Sequence, residues 1–447
     1  SGLLKNGDPE PPEYLEIYGA GIRVIKEGSL AFASTNILEW DSLKETGLRA
    51  LKLAEACVGD SAKTKLSEEP VVNKRWCAEF KEDPTKVDVS SILEILRSVD
   101  SSIMDIKGVS FPNRLLSFGG SVEEKEYLNS EGTRIYSKVP RVGGYFIITA
   151  AEGGRGSLQR TLQFGESGGW ERVKAMNLEE VVRSEGQAMV RMLLEGMGVV
   201  PDRYDVVVGG EVSGIIAHEA CGHPQEADRI MGREGAQAGE SYLKMDMIGR
   251  RIGSPVVSVS DLPSLPNSYG FYLYDDEGVE VRKKRLIVDG VIKEFLHNRE
   301  TAYEFGIKSN GAARATMYSR EPIIRMSNTF IEPGEYSLEE LVEGVKHGLY
   351  IKSFREWNID DIRWNNRYVG FESYLIENGE IGPPVIAPVI EATTEVIFSS
   401  IDAVGKDLVF KAATCGKGQP DQGAPVWTGG PSMRMRGLYI KGRQVER

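Results

Sequence analysis

Two histidines lie close together in a chain that contains few of them. The protein has 447 residues but only four His and four Cys. His218 and His223 bound one hexapeptide, and Glu219 and Cys221 lie between them. Imidazoles bind zinc, and a glutamate next to the first histidine of such a pair is the general base in one class of zinc proteases. The hexapeptide therefore indicates either a metal site with hydrolytic chemistry or two unrelated histidines on a helix.

The spacing of the two histidines requires an irregular helix if they are to share one ion. Apolar residues with helical spacing precede His218, so we expect the cluster on a helix with one buried side. Residues five apart on a regular α-helix diverge by about 140°. Gly222 and Pro224 weaken α-helical geometry, and a wider π-type turn brings such residues back onto one face. We therefore predict a π-bulge or a helix break between Glu219 and Pro224.

A catalytic zinc site usually has three protein ligands, so a third must come from elsewhere. The candidates are the nearby or rare donor residues Cys57, Cys77, Cys221, Glu226, Asp228, His297 and Cys415. Cys57 and Cys77 are typical of buried, inert thiols, and Cys221 is spaced wrongly to face both histidines. Cys415 lies in a glycine-rich stretch after a predicted strand, where backbone can approach a site closely. It is the best soft ligand of the set for zinc.

The elements that must position these residues are helices and mostly antiparallel strands. Apolar periodicity predicts helices over 42–57, 89–104, 178–197 and 338–349. Alternation predicts strands over 14–24, 29–34, 114–118, 126–129, 134–139, 144–152, 157–165 and 205–208, and a hairpin at Asp289-Gly290. A segment with mixed charges and two prolines, 59–86, is expected to be an extended connection.

The predicted fold class is α+β, with two domains. We expect residues 1–200 to form an N-terminal α/β domain with an antiparallel sheet and helices. Residues 201–447 are expected to form a C-terminal, mostly antiparallel β domain that carries the metal-binding helix and is the catalytic part. A chain of this length is typical of two or three domains.

Charge and composition exclude several classes of function. The chain has 54 Lys and Arg against 66 Asp and Glu, a net charge of −12, and no basic stripe, so we expect no nucleic-acid partner. Its apolar runs fall far short of the ~20 residues of a membrane helix, and its polar start does not resemble a signal peptide. Four cysteines are too sparse for a disulfide framework. We therefore expect a cytoplasmic protein with no membrane partner.

The hexapeptide, followed by Glu226 and Asp228, resembles the signature of the TldD/PmbA family, also described as modulators of DNA gyrase, and in particular of its zinc-binding TldD type. Further stretches resemble blocks of the same family, at 19–24, 31–35, 325–334, 375–379 and 415–419. They are spread over almost the whole chain. Family members usually have several tens of residues before the first block, so we expect the N-terminal domain to be incomplete at its start.

The resemblance implies a zinc metallopeptidase whose metal ligands are His218, His223 and Cys415. Glu219 would be its general base. Family members act on short or unfolded peptides, within a chamber formed by two subunits. The implied partner is therefore a second copy of the chain or a PmbA-like (TldE) subunit.

Other roles stay open at the level of the residues. Glu226 and Asp228 could orient the histidines through hydrogen bonds, and His297 could stabilise an oxyanion, although a structural role fits it better. A non-catalytic peptide-binding or regulatory protein with a structural zinc is an alternative, and it would require a fourth protein ligand. A non-haem iron oxygenase would require a carboxylate in the place of Cys415.

Overall fold

A computed structural model of the protein describes residues 1–59, 63–235 and 239–442. About 23% of it is helix and 40% is strand, which confirms the predicted α+β class. The first part of the chain contains β1 (Gly2–Lys5), β2 (Asp8–Pro9), β3 (Ala20–Lys26), β4 (Ser29–Thr35), α1 (Trp40–Ala56), β5 (Asn73–Cys77), α2 (Val89–Met104), β6 (Ser110–Leu128), β7 (Arg134–Glu152), β8 (Gly156–Ser167), α3 (Arg172–Ala175) and α4 (Leu178–Glu195).

Two long antiparallel strands dominate the N-terminal sheet. β6 and β7 have 19 residues each and pair along almost their whole lengths. The sheet order is β2-β1-β6-β7-β5, and β8 also pairs with β7. The sequence predicted two short strands in the place of each long one, which is wrong. Glycines at the expected breaks continue the pairing instead, because a Cβ on Gly144 would lie 2.0 Å from the carbonyl oxygen of Ser117.

Helices α2 and α4 cover this sheet and form its core with β6 and β7. The predicted bounds of α2 are confirmed, and its N-cap is the Asp88 carboxylate, which accepts a hydrogen bond from the Ser90 N–H. Cys57 and Cys77 are exposed, so the prediction that they are buried is wrong. Trp76 takes the inward position on β5, and alternation along the strand turns Cys77 outward.

The second part of the chain holds the remaining strands and helices. They are β9 (Met197–Gly198), β10 (Asp202–Val208), α5 (Gly210–Ile216), α6 (Ala227–Ile230), β11 (Val259–Asp261), β12 (Lys284–Val288), β13 (Val291–Ile292), α7 (Arg299–Glu304), β14 (Ala313–Arg314), β15 (Ile323–Ile324), β16 (Asn328–Ile331), α8 (Leu338–Glu343), β17 (His347–Ile351), β18 (Phe354–Ile359), β19 (Asn365–Gly370), β20 (Ser373–Glu377), β21 (Glu380–Ile386), β22 (Val389–Thr393), α9 (Thr394–Ser400), β23 (Ile401–Val404), β24 (Val409–Lys417), β25 (Gln422–Gly430) and β26 (Met433–Lys441).

Two mixed sheets share one apolar core in this part. The larger has the order β18-β19-β22-β26-β10-β17-β20-β21-β9, and the smaller has the order β13-β12-β11-β16-β25-β24. Most pairs are antiparallel, but β10–β17, β21–β9 and β16–β25 are parallel. Helix α5 leaves the end of β10 and packs against β16, β24 and β25, so it connects the larger sheet to the face of the smaller one.

Two sequence predictions in this part have different outcomes. The predicted helix over 338–349 ends early, because α8 stops at Glu343 and the chain then joins β10 as β17. Gly348 allows this approach, since a Cβ there would lie 2.3 Å from the Asp205 carbonyl oxygen.

The domain division at residues 200 and 201 stays a prediction. No helix within the described ranges is long and apolar enough to cross a membrane.

Candidate metal centre

The histidine segment is a π-helix. Regular α-helix ends at Ile216, π-helix follows over Ala217–Gly222, and a short 3-10 turn begins at His223. The predicted departure from α geometry is therefore confirmed. The wider turn brings the rings of His218 and His223 together, with centroids 4.8 Å apart and planes at 82°. Gly222 contributes by its lack of a side chain, since a Cβ there would meet the Met326 sulfur at 1.9 Å.

Strand β24 brings a third donor to the two histidines. Cys415 pairs with Ala424 of β25, and its Sγ lies 3.4 Å from His223 Nε2. Donor atoms of His218, His223 and Cys415 all lie within 4.8 Å of one another, and all three residues are buried. Tetrahedral zinc with ordinary bond lengths separates its nitrogen and sulfur ligands by about 3.3–3.6 Å. The separation of Cys415 Sγ and His223 Nε2 lies in this range, and thiolate and imidazole are the donor types of zinc sites, so the residues present suit a zinc ion.

The protonation equilibria of Cys415 and His218 also suit a metal. Burial alone would raise the pKa of Cys415, but the neighbouring imidazoles of His223 and His218 hold it well below its usual range. Burial lowers the pKa of His218, but the charge of Cys415, its hydrogen bond to His218 and the charge of Glu219 together raise it above its usual value. Thiolate is the form of cysteine that binds metal. A metal ion would supply the positive charge that balances this thiolate.

Glu226 binds Nδ1 of His223, so that Nε2 of the same ring faces the other donors of the cluster. His223 Nδ1 lies 3.0 Å from Glu226 Oε2, and this oxygen also accepts a hydrogen bond of 2.5 Å from Arg229 Nε. Burial raises the pKa of Glu226, but the charges of Lys417, His223 and Arg229 hold it well below its usual value. A carboxylate behind a histidine in this way fixes the ring tautomer in metal sites. Glu226 is therefore hydrogen-bonded to a histidine of the cluster, and its role in orienting that histidine toward a metal stays a prediction.

Asp228 does not contact a histidine in the described part of the chain; it is bound to Lys417. The Lys417 ammonium donates to both Asp228 oxygens, at 2.8 and 2.7 Å, and lies 3.4 Å from Glu226 Oε2. Since Lys417 follows Cys415 by two residues on the same face of β24, it joins the strand that carries the thiolate to the segment that carries His223. This role of Lys417 was not predicted from the sequence.

Arg325 fixes the backbone around Cys415. Its guanidinium is fully buried, and it donates to the carbonyl oxygens of Cys415 and Gln422, the latter at 2.6 Å. These carbonyls belong to β24 and β25, so one side chain ties both strands of the hairpin to the segment before β16. It lies in one of the stretches on which the family resemblance rested.

Glu219 is hydrogen-bonded to the hairpin formed by β18 and β19. Its Oε1 accepts the indole N–H of Trp357 at 3.0 Å, and its Oε2 accepts a hydrogen bond from Arg363 Nη1 at 2.5 Å. Burial raises the pKa of Glu219, but the charges of His223, Arg363 and His218 outweigh this and leave it below its usual value. Glu219 is therefore a buried, ionised carboxylate next to a donor residue.

The remaining candidates lie apart from the donor cluster. His297 is bonded through Nδ1 to Thr301 at 3.1 Å, and burial lowers its pKa to about 4. In the part of the chain that the structure describes, none of its hydrogen bonds reaches the cluster. Cys221 is buried, and burial raises its pKa well above the usual value, which favours an inert thiol. Neither residue belongs to the group that could share an ion.

Family models match three consecutive parts of the chain. They are the PmbA/TldA metallopeptidase domain 1 over residues 3–54, the central domain over 82–193 and the C-terminal domain over 201–442. The chain belongs to the TldD/PmbA family. The metal cluster and Glu219 lie in the part that the C-terminal model covers.

Individual relatives agree with the family. A protein of Methanothermobacter thermautotrophicus named metalloprotease is 31% identical, over 98% of this chain and 92% of its own. A zinc metalloprotease TldD homolog of Saccharolobus solfataricus is 29% identical, over 80% of both chains. Among solved structures, a proposed modulator of a DNA gyrase from Thermotoga maritima has a TM-score of 0.76 at 20% identity, over 98% and 93% of the two chains. TldE of Thermococcus kodakarensis has a TM-score of 0.69 at 19% identity, over 94% and 89%. These two share the fold.

Proposed function

We propose that this protein is a zinc-dependent peptidase that hydrolyses short or unfolded peptides. The observation that carries the proposal is one buried group of three donors, His218, His223 and Cys415, with the ionised carboxylate of Glu219 on the adjoining residue. The names of its relatives, metalloprotease and zinc metalloprotease TldD homolog, agree with it.

The donor set favours zinc in a catalytic site. One thiolate and two imidazoles are soft and borderline ligands that suit zinc. Zinc in such a set supplies a Lewis acid that polarises a carbonyl and lowers the pKa of a water molecule. Within residues 1–59, 63–235 and 239–442, no fourth His, Cys, Asp or Glu joins the cluster. This favours a catalytic site over the alternative of a closed structural zinc in a binding or regulatory protein.

Glu219 is suited to take the proton of the attacking water. An ionised carboxylate has about four acceptor positions, and here Trp357 and Arg363 occupy two of them. The other positions can accept a proton from water and later deliver it to the leaving amine. Because Trp357 and Arg363 fix both oxygens, the carboxylate is oriented before substrate binds.

The edge of the larger sheet offers a place for an extended peptide. Strand β18 is the last strand of this sheet and pairs on one side with β19. It also carries Trp357, whose indole reaches Glu219. A peptide that added to this edge would lie next to the proposed base, and such pairing requires an unfolded substrate.

The working unit that we propose contains two subunits, either two copies of this chain or this chain with a TldE-like partner. The similarity of its fold to TldE is consistent with a common origin of the two subunits.

All four cysteines are free, which agrees with the expected reducing environment of the cytoplasm.

Metal analysis combined with cleavage assays tests the proposal. We expect about one zinc per chain, cleavage of an unstructured peptide, loss of cleavage with a chelator and recovery when zinc is returned. The same sequence placed within a folded, disulfide-locked domain should resist cleavage. Cleavage that persists without metal would contradict the zinc mechanism. A protein that binds zinc tightly but cleaves none of a broad set of peptides would favour the structural-zinc alternative.

A further inference from the structure

Arg363 has a backbone conformation that is rare for its residue type. It lies in the turn between β18 and β19 with φ of 61°, in the left-handed region. Residues other than glycine seldom adopt this region, and those that do are most often Asn or Asp. Only 6% of Arg363 is exposed. A buried arginine in such a conformation is held there by its surroundings, and such residues cluster at functional sites.

The surroundings of the turn do fix this conformation. The Asp360 carboxylate accepts the backbone N–H groups of Trp364 at 2.7 Å and Asn365 at 3.1 Å. The Arg363 N–H donates to the Asp360 carbonyl at 3.0 Å, and the Thr394 hydroxyl donates to the Arg363 carbonyl at 3.0 Å. Contacts from two elements therefore direct the guanidinium toward Glu219 before any ligand is present.

The guanidinium is only partly used by the protein. Nη1 donates to Glu219 Oε2, but the buried Nε has no hydrogen-bond partner in the described ranges. A buried N–H group without a partner is uncommon in folded proteins. The Nε–H forms a planar fork with an N–H of Nη2, and Nη2 has no hydrogen-bond partner within the described ranges either. Because Nη2 also adjoins Nη1, the unpaired fork begins beside the donor that touches Glu219. N–H groups of Arg363 beside the proposed base can therefore donate hydrogen bonds to an oxygen atom of the substrate.

We propose that Arg363 is a further catalytic residue, which binds the oxygen of the scissile carbonyl as negative charge develops on it. This inference rests on the proposed peptidase function. The oxygen of water bonds to the carbonyl carbon, the π electron pair moves to the carbonyl oxygen, and Glu219 takes the released proton. When the C–N bond then breaks, that proton goes to the amine nitrogen. Arg363 stabilises the oxyanion between these two steps, in the manner of a preorganised donor.

The contact with Glu219 favours the reacting carbonyl over a more distant group of the substrate. A base must lie within hydrogen-bond reach of the water that attacks the carbonyl carbon. Donors that adjoin this base therefore lie near the same carbonyl. An arginine that binds the terminal carboxylate of a peptide would have to reach at least one residue farther along the substrate.

Two variants and a matched control test the inference. Arg363→Met removes all donors, and Arg363→Lys keeps the cation beside Glu219 but loses the planar fork. The Lys variant keeps the buried charge pair, so it retains a testable fold even if the Met variant does not. Arg367→Met is the control, because Arg367 lies on β19 of the same hairpin and pairs at the surface with Glu356 at 2.6 Å.

The readouts are zinc content, kcat and KM on an unstructured peptide, and the Kd of a phosphinic pseudopeptide, whose tetrahedral anion resembles the intermediate. For Arg363→Met we expect kcat to fall about 100- to 1,000-fold with KM nearly unchanged. The Kd of the phosphinic ligand should rise by a similar factor, while zinc content stays at the wild-type level. Arg363→Lys should show a smaller loss in both, and Arg367→Met should match the wild type.

Three results would overturn the inference or its basis. If kcat falls but the phosphinic ligand binds Arg363→Met as tightly as wild type, Arg363 acts only through the position of Glu219. If the variant loses activity on peptides with a free C-terminus but not on amidated ones, it binds the terminal carboxylate. Wild-type protein that holds zinc but neither cleaves the peptide nor binds the phosphinic ligand would refute the proposed function itself.

Discussion

The two sides of the metal centre are built differently. One side, which we call the anchor side, consists of His223, Glu226, Lys417 and Cys415. Its charged groups bind one another: Glu226 contacts the imidazole and the ammonium, and Lys417 is completely buried. This side joins the π-helix to β24, whose Cys415 is remote in sequence from the histidines.

The other side, which we call the reaction side, consists of Glu219, Trp357 and Arg363. Here one hairpin contributes both donors to the carboxylate, and part of the Arg363 guanidinium has no protein partner within the described residues. Charged groups that pair with one another around the ligands are suited to hold an ion in place. A carboxylate with open acceptor positions beside an unpaired donor is suited to bind reacting atoms. Metal binding and catalysis should therefore respond to different substitutions.

Glu219→Gln should have the largest effect, and only on the reaction side. We expect kcat to fall about 10²- to 10⁴-fold, because general base catalysis contributes that much. Zinc content should not change, since Glu219 is not among the three donors. Peptide cleavage and elemental analysis measure both quantities. Full activity in this variant would show that Glu219 is not the base, and loss of zinc would show that the two sides are not separate.

Lys417→Met should cause the largest loss of stability on the anchor side. Lys417 is the buried cation that contacts the carboxylates of both Asp228 and Glu226, and the substitution removes its charge from both. We expect the free energy of unfolding to drop by about 3–5 kcal/mol, the usual result of breaking a buried ion pair from one side. Urea unfolding of the metal-free protein measures it.

The matched control is Lys411→Met. Lys411 lies on the same strand and face, but it is half exposed and lies 3.9 Å from Glu211. An exposed pair contributes about 0–1 kcal/mol. Equal losses in the two variants would mean that the anchor network does not depend on its buried charges.

Glu226→Gln should weaken zinc binding and spare catalysis. Loss of the carboxylate behind a ligating histidine typically lowers metal affinity about 10- to 100-fold. Competition with a chromophoric chelator measures the affinity, and kcat at saturating zinc should stay within a few-fold of the wild type. If kcat falls and the zinc affinity does not, Glu226 belongs to the reaction side.

His297 lies outside both sides and should make the fold sensitive to acid. Burial lowers its pKa to about 4 from a usual 6.5, so the unfolded chain takes up this proton at a higher pH than the fold does. The contribution of His297 to stability is complete above pH 6.5 and is lost as the pH falls toward 4. At pH 5 the loss should be about 2 kcal/mol.

His297→Gln tests this directly. The difference between the unfolding free energies at pH 7 and pH 5 should shrink by about 2 kcal/mol in the variant, while zinc content and kcat at pH 7 stay near wild type. An unchanged pH dependence would mean that His297 is not the acid-sensitive group. Because zinc content is measured as well, the experiment distinguishes the acid unfolding that depends on His297 from the loss of bound metal.

Trp357→Phe should have the smallest effect on kcat among the substitutions on the reaction side. It removes one hydrogen bond from an indole N–H to the ionised Glu219 but keeps an aromatic ring against Phe354. A hydrogen bond to a charged group contributes about 1.5–3 kcal/mol, so kcat should fall by about 10- to 100-fold. Trp364→Phe on the same hairpin is the control and should leave kcat unchanged. A loss larger than that of Arg363→Lys would make Trp357 the principal support of Glu219.

Local features of the site could be predicted from the sequence. The distance of five residues between His218 and His223, together with Gly222 and Pro224, is enough to predict a turn wider than an α-helix. Glu226 was also identified, because it lies only three residues beyond His223. The bounds of α2 were predicted correctly for the same reason: capping and apolar periodicity act over a few residues.

Features that depend on tertiary contacts could not be predicted from the sequence. Trp357 and Arg363 lie 138 and 144 residues from Glu219, and an arginine is not a residue type that predicts a left-handed turn. From the residues alone Cys415 was the best soft ligand among several candidate donors, and the family resemblance then implied it as a metal ligand. The continuity of β6 and β7 was missed because glycines that usually interrupt strands serve here to bring two backbones together.

X-ray absorption at the zinc K-edge, on wild-type protein and Cys415→Ser, tests the metal centre most directly. In the wild type we predict one sulfur at about 2.3 Å and two imidazole nitrogens at about 2.0–2.1 Å, with the remaining position held by an exchangeable oxygen. The sulfur should disappear in Cys415→Ser. A wild-type spectrum without sulfur, or one with two sulfurs and no exchangeable ligand, would contradict the assignment of His218, His223 and Cys415 as a catalytic zinc site.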